Sequence, residues 1–143
     1  ISFETAEDVE LAFYRAIENK DIELMSALWL DDVNVACVHP MGARLQGRQA
    51  VLESWQQIFG GDNRLTFELE GIEQQQVDRL SVHVLHELIT PDKKREKRTT
   101  VIATNVYRQT GNGEWYMVLH HASLSPRTVA DRKVKASGDT VLH

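Results

Sequence analysis

Apolar residues in the first 60 positions recur at helical spacing. Between Val9 and Ile17 they fall three and four positions apart, which predicts a helix with one buried face. Thr5 followed by Asp8 resembles a capping box, and Asp21 is placed to cap a second, short helix. The apolar faces of these two helices and of a third, predicted to end before residue 60, comprise Val9, Ala12, Phe13, Ala16, Ile17, Ile22, Met25, Leu28, Trp29, Val51, Trp55, Ile58 and Phe59.

A period of two, typical of strands, governs most of the remaining chain. Val33, Val35, Cys37 and His39 share one face of a predicted strand, and the turn 40–42 leads into a short returning strand. Further strands are predicted over 65–69, 80–90, 99–108 and 115–124, the last two joined by a hairpin turn at 110–113.

The order of these elements predicts the fold class. Helices segregated from strands in hairpin order indicate an α+β fold, with three helices packed on one face of a curved antiparallel sheet. Such a sheet tends to leave a pocket at its open end. We predict one domain over 1–126 and a polar, flexible C-terminal tail over 127–143.

Alternation in the last strand assigns its two histidines to opposite faces. His121 shares a face with Trp115 and Met117, so we expect it to reach the interior. His120 goes with Tyr116 and Val118 on the outer face. Apolar residues exposed there indicate a homodimer formed through this face.

Composition narrows the class of partner. The 143 residues carry a net charge of −5, which argues against a nucleic-acid or anionic-membrane partner. No apolar run approaches the roughly 20 residues that cross a bilayer, and no export signal is visible at the start. A single cysteine excludes an internal disulfide framework and fits a cytoplasmic location.

Several segments together carry a family resemblance. They are the helical segment 12–16 with Asp21, Met25 and 29–32, the block 38–42 with Gly47 and Trp55, and the closing strand 114–123. These resemble cone-shaped folds of the nuclear-transport-factor-2-like superfamily, and in particular its SnoaL-like branch. The resemblance implies a cone enclosing a pocket and a homodimer. The superfamily includes ketosteroid isomerases, cyclases, dehydratases and kinase association domains, so the resemblance does not select one activity.

Isomerase chemistry can be compared with this chain position by position. In ketosteroid isomerases the catalytic base is an aspartate before a Pro-x-Gly turn, and here the resemblance places His39 at that position. The two oxyanion donors of those enzymes correspond by spacing to Phe13 and a position near Ala103, which cannot donate. Because an enolate without donors loses several kcal/mol of stabilisation, we do not expect true ketosteroid isomerase activity.

The candidate site combines one base with an apolar lining. His39 is the candidate catalytic base, and the alternative is a structural histidine whose nitrogens are satisfied. Trp29, Trp55 and Phe59 are candidates for contacting a flat apolar ligand, with Asn105, His121 and Arg44 as polar anchors. The same aromatic residues could instead be core alone.

Other chemistry is not expected. A metal site built from His39, His83, His86 and His121 lacks the usual spacing, since His83 and His86 cannot share a strand face. Cys37 is predicted to be buried and unreactive. No dinucleotide or phosphate-binding motif is present, so we expect no cofactor and no metal. The predicted function is therefore binding of an uncharged apolar or aromatic molecule, with cofactor-independent isomerase, cyclase or dehydratase chemistry possible. The alternative is a non-enzymatic association or oligomerisation module.

Overall fold

The computed structural model describes residues 1–93 and 97–128. Within them, α1 spans Ala6–Asn19, α2 spans Ile22–Leu28 and α3 spans Arg48–Phe59. The side chain of Thr5 accepts a hydrogen bond from the amide of Asp8, and that of Asp21 accepts from the amide of Leu24. Both predicted N-caps are thus confirmed.

The described strands form one six-stranded sheet in the order β2-β1-β6-β5-β4-β3. Their bounds are β1 Ala36–Val38, β2 Arg44–Gln46, β3 Leu65–Val77, β4 Leu80–Pro91, β5 Thr99–Gln109 and β6 Trp115–Leu124. The helices pack on one face of this curved, open sheet, which confirms the predicted α+β cone. The antiparallel prediction fails at one pair, because β1 lies parallel to β6. No hairpin joins these two strands, so nothing in the chain order requires them to run in opposite directions.

The prediction for the two histidines of β6 is wrong. His120 is buried, at 3% exposure, and His121 is exposed. The pairing with β5 shifts between Val106 opposite Leu119 and Tyr107 opposite Met117, which leaves Val118 without a partner. This β-bulge adds one residue to β6, so every later side chain points to the opposite face from simple alternation.

Three other predictions of position need correction. Val33 is 78% exposed because it lies in a turn before β1, so only Val35 and Cys37 of that predicted face are fully buried. Ile58 is 41% exposed although it lies two turns after the buried Val51 on the same helix face, because it stands at the very end of α3. β3 continues to Val77, well past the predicted end at 69, through a largely exposed half.

The end of the described chain is packed rather than free. Thr128 is buried, and its hydroxyl accepts a hydrogen bond from the amide of Thr100 (2.8 Å). The last described residue is therefore held against β5. Most of the predicted flexible tail, 129–143, lies outside the described residues. None of the helices found in 1–93 and 97–128 has the length and apolar character needed to cross a membrane.

Candidate functional site

His39 lies just after β1, against α3. The turn that follows it is closed by the amide of Gly42, which donates to the His39 carbonyl (2.8 Å). A Cβ at Gly42 would stand only 3.1 Å from that carbonyl, so the tight turn favours glycine. His39 is half-buried, which leaves its ring within reach of both the interior and the surface.

The hydrogen bonds of His39 determine its tautomer. The hydroxyl of Ser54 donates to the Val51 carbonyl (2.7 Å), so its oxygen is left to accept from His39 Nε2 (3.0 Å). The neutral ring therefore carries its proton on Nε2 and a lone pair on Nδ1. Among the described residues nothing is hydrogen-bonded to Nδ1, and burial lowers the pKa of His39. Nδ1 is thus available as a base at neutral pH.

Of the three predicted aromatic residues, Trp55 lies beside His39 and Phe59 lies beside Trp55. The ring centroid of Trp55 is 4.7 Å from that of His39 and 5.8 Å from that of Phe59. Trp55 is only 4% exposed, and its indole Nε1 is buried with no hydrogen-bond partner in the described structure. An unpartnered buried donor costs about 1–3 kcal/mol, so a ligand oxygen that reached this N–H would remove a penalty.

A chain of hydrogen bonds crosses the interior behind Trp55. His120 Nδ1 is 2.6 Å from Asn105 Oδ1, and Asn105 Nδ2 donates to the Tyr14 hydroxyl (3.0 Å). The Tyr14 hydroxyl donates in turn to Glu87 Oε2 (2.5 Å). The chain joins β6, β5, α1 and β4, and its first member lies against Trp55, with the ring centroids 6.1 Å apart.

A second polar cluster lies on the same inner faces. Glu10 Oε2 accepts from the Tyr107 hydroxyl (2.8 Å) and lies 2.8 Å from His83 Nδ1. The hydroxyl of Ser81 is 3.0 Å from His83 Nε2. Because all four side chains are buried, these bonds offset the desolvation of the carboxylate and the imidazole.

Sequence reasoning missed both clusters, although a signal was present. Glu10 and Tyr14 lie one turn apart on the buried side of α1, and Ser81, His83 and Glu87 share the inward parity of β4. Polar residues at the buried positions of an otherwise apolar periodicity indicate an internal hydrogen-bond network. The sequence pattern does not show which of these polar side chains are hydrogen-bonded to one another.

Burial shifts the pKa of several interior groups. Desolvation raises the pKa of Glu87 to about 7, with the charge of Glu10 adding to the effect and the bond from Tyr14 opposing it. Desolvation lowers the pKa of His120 to about 3, so this ring stays neutral. The thiol of Cys37 is buried as predicted, and desolvation with the nearby Glu87 raises its pKa to about 12. A thiol with that pKa is a poor nucleophile.

The remaining predicted site residues are dispersed. Asn105 is buried and joins the interior chain, whereas His121 and Arg44 are exposed on the surface, so neither is an interior anchor. Trp29 is 1% exposed and donates to the Met25 sulfur, and its ring borders a separate cleft of about 490 Å³ beside Arg48. In 1–93 and 97–128 no three His, Cys, Asp or Glu side chains are grouped as metal ligands.

The two positions assigned to oxyanion donors hold apolar side chains in the interior. Phe13 and Ala103 are both fully buried. However, hydroxyl and amide groups stand close by, since Tyr14 follows Phe13 on α1 and Asn105 is two residues beyond Ala103 on the same strand face. The interior is therefore more polar than the spacing argument implied.

Comparison with known proteins identifies the family. Residues 7–128 match the model of the SnoaL-like domain. A Thiobacillus denitrificans structure, provisionally assigned as a calcium/calmodulin-dependent protein kinase type II association domain, is 36% identical with a TM-score of 0.80, over 87% of this chain and 98% of that one. A Streptomyces avermitilis structure, provisionally assigned as a dehydratase of the NTF2-like family, is 31% identical with a TM-score of 0.75, over 82% of this chain and 91% of that one.

A curated plant protein matches across the same domain. The F-box protein SKIP8 of Arabidopsis thaliana is 26% identical over 116 residues, which are 81% of this chain and 48% of that protein. The chain thus spans about half the length of this relative. The family model covers most of the chain, and the similar solved structures share its cone fold. This chain belongs to the SnoaL-like domain family of the NTF2-like superfamily.

Proposed function

We propose that this protein binds an uncharged, mainly apolar or aromatic small molecule in the interior of its cone, against Trp55 and Phe59. The observation that carries the proposal is the buried indole N–H of Trp55, which has no partner in the described structure and lies beside the half-buried His39. A carbonyl or hydroxyl oxygen of a flat ligand would satisfy that donor while the ligand's rings pack on the aromatic side chains.

We further propose that His39 moves a proton on this ligand. Its Nδ1 takes a proton from a carbon next to a carbonyl, the electron pair of that C–H bond passes to the carbonyl oxygen, and the indole N–H of Trp55 donates to that oxygen. The imidazolium returns the proton at another atom, so no cofactor is consumed. This step is common to isomerase, cyclase and dehydratase reactions. The similarity to a provisionally assigned dehydratase at 31% identity supports chemistry of this class.

The binding proposal is tested with two neutral bicyclic probes, 1-tetralone and 2-naphthol. Replacing the indole in Trp55→Phe keeps an aromatic ring and removes the N–H, so the affinity for either probe should fall about tenfold, measured by titration calorimetry. Trp29→Phe is the matched control, because that indole donates to Met25 and lies at a different cleft. An equal loss of affinity in both variants would refute the assignment.

The same ketone tests His39. Exchange of the protons next to the carbonyl of 1-tetralone for deuterium, followed by NMR, should slow on the order of 100-fold or more in His39→Gln. His86→Gln, a change at an exposed histidine of β4, should leave the exchange rate unchanged. If the probe binds tightly but its protons exchange equally fast with His39→Gln and with the parent protein, the protein binds the ligand and His39 does not move a proton on it.

We propose association through the outer face of the sheet as a second function. This face carries apolar side chains on adjacent strands, and none of the helices among the described residues lies over them. Val84 and Leu80 are 40% and 41% exposed. A shallow cleft of about 330 Å³ between Leu80, Val106 and Leu119 continues the apolar surface. The similarity to a provisionally assigned association domain favours self-association, and a second copy of the chain would cover these residues.

A further inference from the structure

The chain from His120 to Glu87 has a direction that its donors and acceptors impose. With Glu87 ionised, its carboxylate can only accept, so the Tyr14 hydroxyl donates to it. The Tyr14 oxygen then accepts from the Asn105 NH₂ group, and the Asn105 carbonyl accepts from His120 Nδ1. His120 therefore carries its proton on Nδ1, and Nε2 presents a lone pair.

Nε2 of His120 is the nitrogen at the open end of this chain of hydrogen bonds. Among the described residues it has no hydrogen-bond partner, and the ring packs against Phe13 and Trp55 at centroid distances of 4.7 and 6.1 Å. Whether this nitrogen carries a proton thus determines whether a bound molecule can place a hydrogen-bond acceptor or a donor there.

We propose that Glu87 is a positioning residue which, acting through the Tyr14 hydroxyl and the Asn105 amide, decides whether His120 Nε2 accepts or donates a hydrogen bond. The consequence for ligand choice rests on the proposed function. The coupling itself is a property of the protein alone and can be tested without any ligand.

Protonation of Glu87 reverses every bond in the chain. The new carboxyl O–H donates to the Tyr14 oxygen, and the Tyr14 hydroxyl donates to the Asn105 carbonyl after the amide rotates by half a turn. The Asn105 NH₂ group then donates to Nδ1 of His120. The ring loses its proton from Nδ1 to solvent and gains one on Nε2, so the net change is one added proton, held on Glu87. The 3.0 Å separation on the Tyr14 side of Asn105 suits either orientation of its amide, whereas the 2.6 Å separation on the His120 side must lengthen by a few tenths of an ångström when the NH₂ group faces Nδ1.

The surroundings of the two groups allow Glu87 to gain or lose a proton near neutral pH, while the His120 ring stays uncharged. Glu87 faces Tyr14 and Glu10 on α1 and the thiol of Cys37 on β1. Burial and the Glu10 charge raise its pKa to about 7. Burial lowers the pKa of His120 to about 3, so the ring changes tautomer without becoming charged.

Three further titratable side chains lie close enough to act on Glu87 or His120. His39 and His121 are the groups whose charges would act on His120. Glu10 is held by bonds to Tyr107 and His83, which keeps it beside Glu87 rather than inside the chain. Above pH 7 the site should therefore favour a ligand hydroxyl at Nε2, and below pH 7 a ligand carbonyl.

The experiment reads the His120 tautomer in the ligand-free protein. Long-range ¹H–¹⁵N correlation NMR distinguishes a protonated Nδ1 from a protonated Nε2. We expect the Nδ1–H form at pH 9 and the Nε2–H form at pH 5, with a midpoint near the Glu87 pKa of about 7. The same tautomer at pH 5 and pH 9 in the parent protein would overturn the proposal without any variant having to fold.

Three variants identify the route. Glu87→Gln cannot gain the proton, and Tyr14→Phe interrupts the chain, so in both the His120 tautomer should stop changing with pH. Ser81→Ala is the matched control, since it removes a buried hydroxyl of β4 that is bonded to His83 and not to a member of the chain. A tautomer change that persists in Glu87→Gln would overturn the role of Glu87.

The two probes separate this inference from the proposed function. The ratio of the 2-naphthol affinity to the 1-tetralone affinity should rise severalfold between pH 6 and pH 8, and should be constant in Glu87→Gln. If neither probe binds, the proposed function fails while the NMR result still decides the coupling. If both bind and the ratio does not change with pH, the link from His120 to ligand choice is overturned.

Discussion

Two histidines flank Trp55, and their hydrogen bonds give them different chemistry. His39 is half-buried and bonds to Ser54 through Nε2, which leaves Nδ1 available as a base. His120 is buried and bonds to Asn105 through Nδ1, and its pKa of about 3 excludes it from accepting a proton at neutral pH. Residue type alone does not separate a base from a buried histidine that stays neutral; the burial of each ring and the partner of each nitrogen do.

The opposite pKa shifts of two buried groups predict a specific dependence of stability on pH. Glu87, at about 7 in the fold against 4.5 in the unfolded chain, makes the free energy of unfolding fall as pH rises between those values. His120, at about 3 against 6.5, makes it rise with pH between those values. Between pH 4.5 and 6.5 the two effects oppose each other, each by up to about 1.4 kcal/mol per pH unit.

Removing either group should expose the effect of the other. In Glu87→Gln the free energy of unfolding, measured in urea at several pH values, should rise more steeply with pH over this window than in the parent protein. In His120→Gln it should become flat or fall. His86→Gln, at an exposed position, serves as the control and should follow the parent curve. Parallel curves for all four proteins would contradict the opposing shifts.

At the scale of single elements, short-range signals determine where most helices begin. Thr5 and Asp21 cap α1 and α2 through side-chain oxygens. α3 is different, because its N-cap is Gly47 with φ of 89° and no side-chain bond. A glycine suits that backbone angle, which lies where other residues are strained.

The cap of α2 allows a direct measurement. Asp21→Ala removes the carboxylate that accepts from the Leu24 amide (3.0 Å), so the free energy of unfolding should fall by about 1 kcal/mol. Glu23→Ala, which removes an exposed acidic side chain from the same first turn, should cost only about 0.3 kcal/mol. Equal losses would mean that the charge near the helix end, and not the cap bond, stabilises α2.

The molecule as a whole has two unlike sheet faces. The inner face meets the helices and carries the buried polar network, whereas the outer face exposes apolar side chains among polar ones, and no helix of residues 1–93 and 97–128 packs on it. The inner face supports the ligand proposal and the outer face the association proposal. Because the two faces are separate, both functions can operate in one protein.

Association predicts a mass of twice the 16.3 kDa chain in sedimentation equilibrium at micromolar concentration. Val84→Lys places a charge in the middle of the outer face and should shift the protein to the monomer mass. The control is Leu11→Lys, on the exposed side of α1, which should leave the dimer intact. A monomer mass for the parent protein at these concentrations would exclude the dimer.

Local sequence patterns were sufficient for the elements and the fold class. Helical periodicity predicted α1 and α2 with their caps and placed Trp55 and Phe59 on one face of α3, whereas His39 became a candidate through the family resemblance. These features depend on residues close in the chain or on a face shared within one element, which the spacing of apolar residues encodes.

Long-range pairing decided the interior of the site. The bulge at Val118 exists only because β6 aligns with β5. Because of the bulge, the buried histidine is His120 and not His121. The chain from His120 to Glu87 needs four elements to meet at hydrogen-bond distance. By itself the sequence determined which elements form and that they build a SnoaL-like cone. Only the tertiary structure decided which polar side chains face one another inside it, because contacts between residues far apart in the chain leave no local periodicity.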